Sequence, residues 1–288
     1  MFNQLGLIGC GLMGGSFAMA LKRAGMVRHV VGYSKSPSTT ERARHLGVID
    51  SEASSALQAV AGSDIVLLAV PVAATEATLK AIRHLVTREV LVMDVGSTKR
   101  DVVDAARHAL KDMVGSFVPC HPMTGKESSG IEHADPDLYK GRQVIITPIE
   151  RTLVAHLKRA QQAWEAVGGV VLKMSPDAHD AAVAAVSHLP HLLAFAYMNG
   201  IGAQSQGEDF LALAGPGFRD FSRIAASDPY MWRDILLANK AEVLSQSRQF
   251  RESLAALEKI IEAGDGPALE ARLGEARALR EPWRLGGA

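Results

Sequence analysis

Cysteine is nearly missing from this chain, with two residues, Cys10 and Cys120, among 288. Two thiols build no disulfide framework, so a reducing compartment, the cytoplasm, is the expected setting. A net charge is also missing, because 31 Lys+Arg balance 31 Asp+Glu. A chain without a basic excess lacks the positive face that nucleic-acid phosphates need, and no nucleic-acid partner is expected. No stretch approaches 18 uninterrupted apolar residues, so no membrane span is expected. The opening Met1-Phe2-Asn3-Gln4 lacks the basic start of a secretory signal. Internal repeats and low-complexity tracts are missing too. What is present is 48% hydrophobic residues with 22% charged, a balance that excludes disorder. A chain of 30.7 kDa should fold to roughly 12,000 Å² of surface, and its length suits two domains.

The first half alternates apolar runs with helical patterns. Runs at 5–8, 30–32, 65–70, 90–95 and 144–147, with weaker ones at 117–118 and 170–172, carry near-continuous Val, Ile and Leu. Strands buried on both faces read this way. Helical patterns lie between them at about 12–25, 38–46, 73–86, 98–111 and 152–167. The alternation predicts an α/β Rossmann-like, doubly wound parallel sheet. From Ser175-Pro176-Asp177, a helix start, the strand signals stop. Helices are predicted over 178–203, 229–250, 253–262 and 266–280, with a kink at Pro190. The division is therefore a dinucleotide-binding domain over 1–172 and an all-helical domain over 173–288, with a frayed tail from 282.

Gly9-Cys10-Gly11-Leu12-Met13-Gly14 follows the first strand and precedes the first helix. A lone GxGxxG is weak, but this context is the one the dinucleotide fingerprint requires. Gly9 permits the tight turn, Gly11 lets the backbone approach a pyrophosphate, and Gly14 lets helix and strand pack. The pyrophosphate meets free N–H groups at a positive helix end. An ordinary glycine turn is the plain alternative. Where NAD enzymes carry an acid for the ribose 2′-OH, this chain has Ser34 and Lys35, with no acid before Glu41. A hydroxyl and a cation suit a 2′-phosphate, so NADP is expected to be preferred over NAD.

Ligands of open α/β sheets bind beyond the strands' carboxyl ends. Three such ends carry candidates: Val70-Pro71, then Gly96-Ser97-Thr98-Lys99, and then Cys120-His121-Pro122-Met123-Thr124-Gly125-Lys126-Glu127-Ser128-Ser129-Gly130. His121 after a buried strand is placed to exchange a proton with a substrate hydroxyl, and it equally fits a satisfied loop histidine. Ser97 could share that hydroxyl or cap the next helix. A Cys120–His121 nucleophilic pair is disfavoured, since neighbours on an extended segment point opposite ways. His188 and His191, at i and i+3, share a helix face, but no acid or Cys completes a zinc site and no metal is expected. Arg219 and Arg223, four apart, project from one helix face, where their planar forks suit a carboxylate; the alternative is a solvated charged face with Asp220 as partner.

Together Gly9–Gly14, Asp94–Lys99, His121–Gly130, Ser187–His191 and Gly217–Trp232 resemble the prephenate/arogenate dehydrogenase family of tyrosine biosynthesis, over nearly the whole chain. The resemblance implies oxidative decarboxylation of a cyclohexadienol, prephenate or arogenate, with hydride passing to NAD(P). By resemblance His121 accepts the proton of the 4-hydroxyl and Ser97 contacts that hydroxyl and the cofactor side. Arg223 anchors a substrate carboxylate and His191 lines the pocket. Glu127, Thr124 and Gly125 lie near its mouth, Trp232 is an aromatic beside the site, and Arg219 has a less defined role. Gly9, Gly11, Leu12, Met13, Gly14, Ser34, Lys35, Val70, Pro71 and Ser97 would hold the cofactor. A homodimer through the helical half is implied. Too few residues follow Leu279 for the regulatory carboxy-terminal domain of some relatives, so tyrosine inhibition would act at the active site. The competing readings are a related 3-hydroxyacid or imine reductase and a non-catalytic nucleotide sensor.

Overall fold

A computed structural model describes residues 1–126 and 128–283. Six strands, β1 (Phe2–Ile8), β2 (Val27–Tyr33), β3 (Ser51–Glu52), β4 (Ile65–Leu68), β5 (Leu91–Asp94) and β6 (Phe117–Val118), form one sheet. Its order is β3-β2-β1-β4-β5-β6 and every pairing is parallel. Helices α1 (Leu12–Arg23), α2 (Pro37–His45), α3 (Ala56–Val60), α4 (Thr75–Ile82), α5 (Arg100–Leu110) and α6 (Val154–Ala166) provide the crossovers and cover. The apolar runs of β1, β4 and β5 feed two separate cores. On one face Leu5, Leu7 and Met93 pack with Phe17, Leu21 and Trp164. On the other Ile8, Val66, Leu68 and Val92 pack with Leu79, Ile82 and Val102. Sheets clothed on both faces lose the period-two alternation, which is why these strands read as continuous apolar runs.

The runs at 144–147 and 170–172 are strands, but they belong to a second sheet. There β7 (Cys120–Pro122), β8 (Gln143–Ile146) and β9 (Val170–Lys173) lie in that order, with β7 antiparallel to β8. The chain leaves the main sheet after β6 and turns at Pro119 into β7, whose Cys120 N–H meets Asp94 at the carboxyl end of β5, with His121 next in the strand. Ring packing ties α6 and the loop before β8 to α1: Trp164 lies 4.7 Å from Phe17 and 5.2 Å from Tyr139, and the Tyr139 hydroxyl donates to the Met13 carbonyl at 2.6 Å. The short β3 and α3 have too few residues to show a period.

The second half is helical: α7 (Pro176–Val183), α8 (Leu189–Gly202), α9 (Gly207–Ala212), α10 (Pro216–Ser222), α11 (Pro229–Ala238), α12 (Lys240–Glu262) and α13 (Gly266–Arg280). Two boundaries differ from expectation. The break expected near 251–252 does not occur, because α12 runs through it, and the real break is at Asn239. Pro190 makes no simple kink; instead a π-helical turn, Ala184–His188, precedes it. Proline removes the N–H that would reach four residues back and crowds that carbonyl, and a π turn relieves both. The run Pro176–Gly202 is, by length and composition, apolar enough to cross a membrane, with hydropathy 1.4, contrary to the expectation of no such stretch. His179, Asp180 and His188 on it are buried, with partners in the first half of the chain and at Asn239, the N-cap of α12, while only 28% of the apolar window is buried in the single chain. Of the tail expected to fray, residues 284–288 lie outside the described residues.

Candidate active site

The glycine loop has the shape a pyrophosphate requires. Gly9 sits at φ +99°, where a side chain is strained, and a Cβ there would collide with the Ala69 carbonyl. A Cβ at Gly14 would strike the Gly9 carbonyl, whereas one at Gly11 meets nothing within 4 Å. The space above Gly11 is therefore open and lies at the N-terminus of α1, whose N-cap is Gly11. Leu12 is buried beneath the loop, Met13 and Val70 are half-buried, and Pro71 is exposed at the end of β4. Ser34 sits where the ribose acid would stand: its Oγ accepts the Cys10 N–H at 2.8 Å, leaving its own hydrogen to donate. Lys35 is exposed beside it. These residues fit a nicotinamide dinucleotide.

His121 is 8% exposed and its Nδ1 lies 2.8 Å from His179 Nε2. His179 Nδ1 in turn lies 2.7 Å from Asp180 Oδ1. Asp180 reaches from α7 to the start of α5, accepting the Lys99 N–H at 2.9 Å and the Arg100 N–H at 3.0 Å. Ser97 is thus not the cap of α5: that helix begins at Arg100, and the distant carboxylate satisfies its first N–H groups. Below lies the ion pair Lys99–Asp94, fully buried, with Nζ–Oδ2 at 2.5 Å. Asp94 also accepts the Cys120 N–H at 2.9 Å and the Gly96 N–H at 2.8 Å, fixing where β7 starts. Burial, then His179, Lys99 and His188, hold the His121 pKa well below the ordinary histidine value, so the ring is neutral. Cys120 is buried and its thiol pKa is pushed upward by burial and by Asp94, which removes it as a nucleophile.

The helical half adds a second group of rings. His188 is 1% exposed; Asn239 Nδ2 lies 3.2 Å from its Nδ1 and also donates to the Asp180 carbonyl at 2.8 Å. Burial pushes the His188 pKa down to about 4. Its Nε2 has no hydrogen-bond partner among the described residues, although the Ser97 backbone is near enough to favour its charged form. His191 stacks on Trp232 at 3.6 Å and its Nδ1 donates to the Ser187 carbonyl at 2.9 Å. Trp232 is 6% exposed, and its Nε1 likewise has no hydrogen-bond partner among the described residues.

The structure thus brings His121, Ser97, His188, His191 and Trp232 to one junction between the halves. It does not put Arg219 and Arg223 on one α-helix face: α10 ends at Ser222 and Arg223 opens a 3₁₀ turn that packs against α8. Arg219 is exposed and pairs with Asp220 at 3.0 Å, the solvated arrangement. Arg223 is exposed in a single chain. Thr124 donates to the Leu138 carbonyl at 3.3 Å and Gly125 is exposed, while Glu127 lies outside the described residues. Sequence reasoning missed His179, Asp180 and Asn239. The one available signal was the His-Asp pair just inside a helix start, which reads as ordinary first-turn polarity.

Residues 17–173 match the prephenate dehydrogenase nucleotide-binding domain and residues 175–275 the prephenate dehydrogenase dimerization domain. The chain belongs to the prephenate dehydrogenase family. It is 33% identical to the prephenate dehydrogenase of Bacillus subtilis, over 98% of this chain and 77% of that protein. It is 31% identical to the cyclohexadienyl dehydrogenase of Zymomonas mobilis, over 97% and 95%. The crystal structure of Aquifex aeolicus prephenate dehydrogenase with hydroxyphenyl propionate and NAD⁺ superposes with a TM-score of 0.90 at 38% identity, covering 98% of both chains. Membership sets aside the 3-hydroxyacid and imine reductase readings and makes the chain an NAD(P)-dependent dehydrogenase with a dimerization domain.

Proposed function

We propose that this chain oxidises and decarboxylates a cyclohexadienol bearing a ring carboxylate, prephenate or arogenate. The observation that carries this reading is His121, a buried imidazole held neutral by its surroundings, on the strand that Asp94 at the carboxyl end of β5 holds in place, and in line with His179 and Asp180. Bound nicotinamide supplies the hydride acceptor. As C4 loses hydride, the 4-hydroxyl proton passes to His121 Nε2, and the bond from C1 to the carboxylate breaks as CO₂ leaves. Its electron pair enters the ring, which becomes aromatic, and the proton on His121 returns to the phenol oxygen. No net proton is released. Aromatisation supplies the driving force, so the residues mainly position groups and hold one proton. Ser97 orients the same hydroxyl, Arg223 meets a carboxylate, and His191 and Trp232 wall the ring. Thr124, Gly125, Glu127 and Arg219 are assigned to its rim.

The domains meet near residue 173, and the second copy packs on the helical half. Two facts support this. One chain exposes 15288 Å² against the roughly 12,000 Å² of a compact protein this size. The excess goes with bare apolar side chains on α8 to α11, including Tyr197, Phe210, Leu213 and Leu237. Ser34 and Lys35 favour NADP over NAD, and the buried free thiols Cys10 and Cys120 suit the cytoplasm. The test is a steady-state assay of both substrates against both cofactors, following the absorbance of reduced nicotinamide. Turnover of at least one substrate is expected, with NADP favoured. No absorbance rise in any of the four combinations refutes the activity and favours a sensor.

A further inference from the structure

We infer that His179 and Asp180 are positioning residues that set the tautomer of His121, an inference that rests on His121 being the proton acceptor. The three side chains stand in line, His121 Nδ1 to His179 Nε2 at 2.8 Å and His179 Nδ1 to Asp180 Oδ1 at 2.7 Å. The placement of hydrogens along this line follows by elimination. Asp180 accepts two backbone N–H groups, Lys99 on Oδ1 and Arg100 on Oδ2. Burial raises its pKa, but His179 and those N–H groups more than offset this and bring it below the ordinary value. An ionised carboxylate only accepts, so His179 Nδ1 carries a hydrogen and donates.

His179 is fully buried, and burial outweighs the pull of Asp180 to keep its pKa below the ordinary value. A neutral ring with its hydrogen on Nδ1 has a bare Nε2, which accepts. His121 must then donate from Nδ1. Being neutral itself, it keeps the lone pair on Nε2, the one ring nitrogen that makes no hydrogen bond among the described residues. A neutral imidazole free of this line would populate both tautomers, and the form with hydrogen on Nε2 cannot accept the hydroxyl proton. The line spans the domain junction, since His121 sits on β7 while His179 and Asp180 sit on α7. Asp180 also caps α5, so the helix that follows β5 and the tautomer of His121 are set by one carboxylate.

The test reads the tautomer directly. Histidine ring nitrogens of the ¹⁵N-labelled full chain at neutral pH, assigned through loss of signals in His121→Asn, should show His121 with hydrogen on Nδ1 and none on Nε2. Hydrogen on Nε2 overturns the inference. In kinetics, His179→Leu, which removes the acceptor, should lower kcat roughly 100-fold or more with substrate KM within about threefold. His179→Gln, which returns an acceptor oxygen, should recover at least about tenfold of that loss. A Leu variant within about threefold of the parent in kcat, or Leu and Gln variants alike, also overturns it. Should the Leu variant fail to fold, the ring spectrum of the unaltered chain decides. A chain inactive on every substrate would sink the proposed activity, while the spectrum would still decide the tautomer.

Discussion

The two halves of this molecule treat apolar surface in opposite ways. In the nucleotide-binding half the strands are buried on both faces, and two closed cores account for nearly every large apolar side chain. In the helical half few apolar residues are buried, among them Val183, Leu189, Trp232 and Ile235, while Leu213, Leu237 and Leu279 stand largely exposed. The first half is complete as one copy; the second presents the surface of half a core, as its place in a dimerization domain requires. Between them lies a seam of polar, deeply buried groups: His121, His179, Asp180, His188 and Asn239. Arg100 reinforces it from outside, meeting Glu242 of α12 at 2.6 Å and Asp177 of α7 at 3.2 Å. The half with two closed cores thus carries the glycine loop and His121, and the half with bare apolar surface carries His188, His191 and Trp232.

The sharpest way to separate the two halves is His121→Asn. Its turnover should fall roughly 10³-fold, while cofactor affinity by titration stays within about twofold. Near-normal turnover removes His121 from the chemistry. The seam itself should respond to acid. Burial lowers the folded pKa of His121, His179 and His188, the last to about 4. Above pH about 6.5 neither the folded nor the unfolded chain protonates these rings; below it the unfolded chain binds protons that the folded chain refuses. Stability therefore falls as pH drops from about 6.5 toward the folded values; for His188, with a folded value of about 4, the loss between pH 6.5 and 5 is roughly 1.6 kcal/mol. Asp180, with a lowered pKa, loses its own contribution only at more acidic pH. Urea unfolding at pH 7.5 and pH 5 should show this loss, reduced in His188→Gln by about one group's share. An equal acid loss in that variant would take His188 out of the seam.

On the helical side, Arg223→Ala should lower kcat/KM by about 2 kcal/mol, roughly 30-fold, without moving cofactor affinity. An unchanged kcat/KM excludes Arg223 from the site. Because this half awaits a second copy, the urea midpoint should also rise with protein concentration. A midpoint independent of concentration would break the contrast between the halves.

How much of this was legible in the sequence follows the same division. The parallel sheet showed because strands buried on both faces need unbroken Val/Ile/Leu runs, and the glycine loop showed because only glycine fits at Gly9 and Gly14. His121 was visible as a histidine after a buried strand. The second sheet was not, because its strands carry the same apolar signal as the first and pairing partners are not local information. His179 and Asp180 were hidden for a related reason: their partners, His121 and Lys99, lie 58 and 81 residues away. The Arg219–Arg223 face failed because helix end and 3₁₀ turn are decided by packing on α8 rather than by spacing.

The smallest expected effect lies in the first half, at Ser34 and Lys35. Ser34 Oγ accepts from Cys10, and Lys35 is exposed beside it; in the NADP reading proposed above, Ser34 meets the ribose or its phosphate and Lys35 acts only through charge. An exposed cation facing a phosphate is screened by water and salt, so its contribution is modest, roughly 1 kcal/mol. Lys35→Ala should therefore lower kcat/KM with NADP about fivefold and leave that with NAD nearly unchanged. Raising ionic strength should shrink the difference between variant and parent. Ser34→Asp goes further, placing a carboxylate where the 2′-phosphate would sit, and should reverse the preference toward NAD by like-charge repulsion and by the hydrogen bonds an acid makes to a free 2′-OH. If Lys35→Ala changed both cofactors equally, the cation would be serving the pyrophosphate or the fold, and the case for NADP would rest on Ser34 alone.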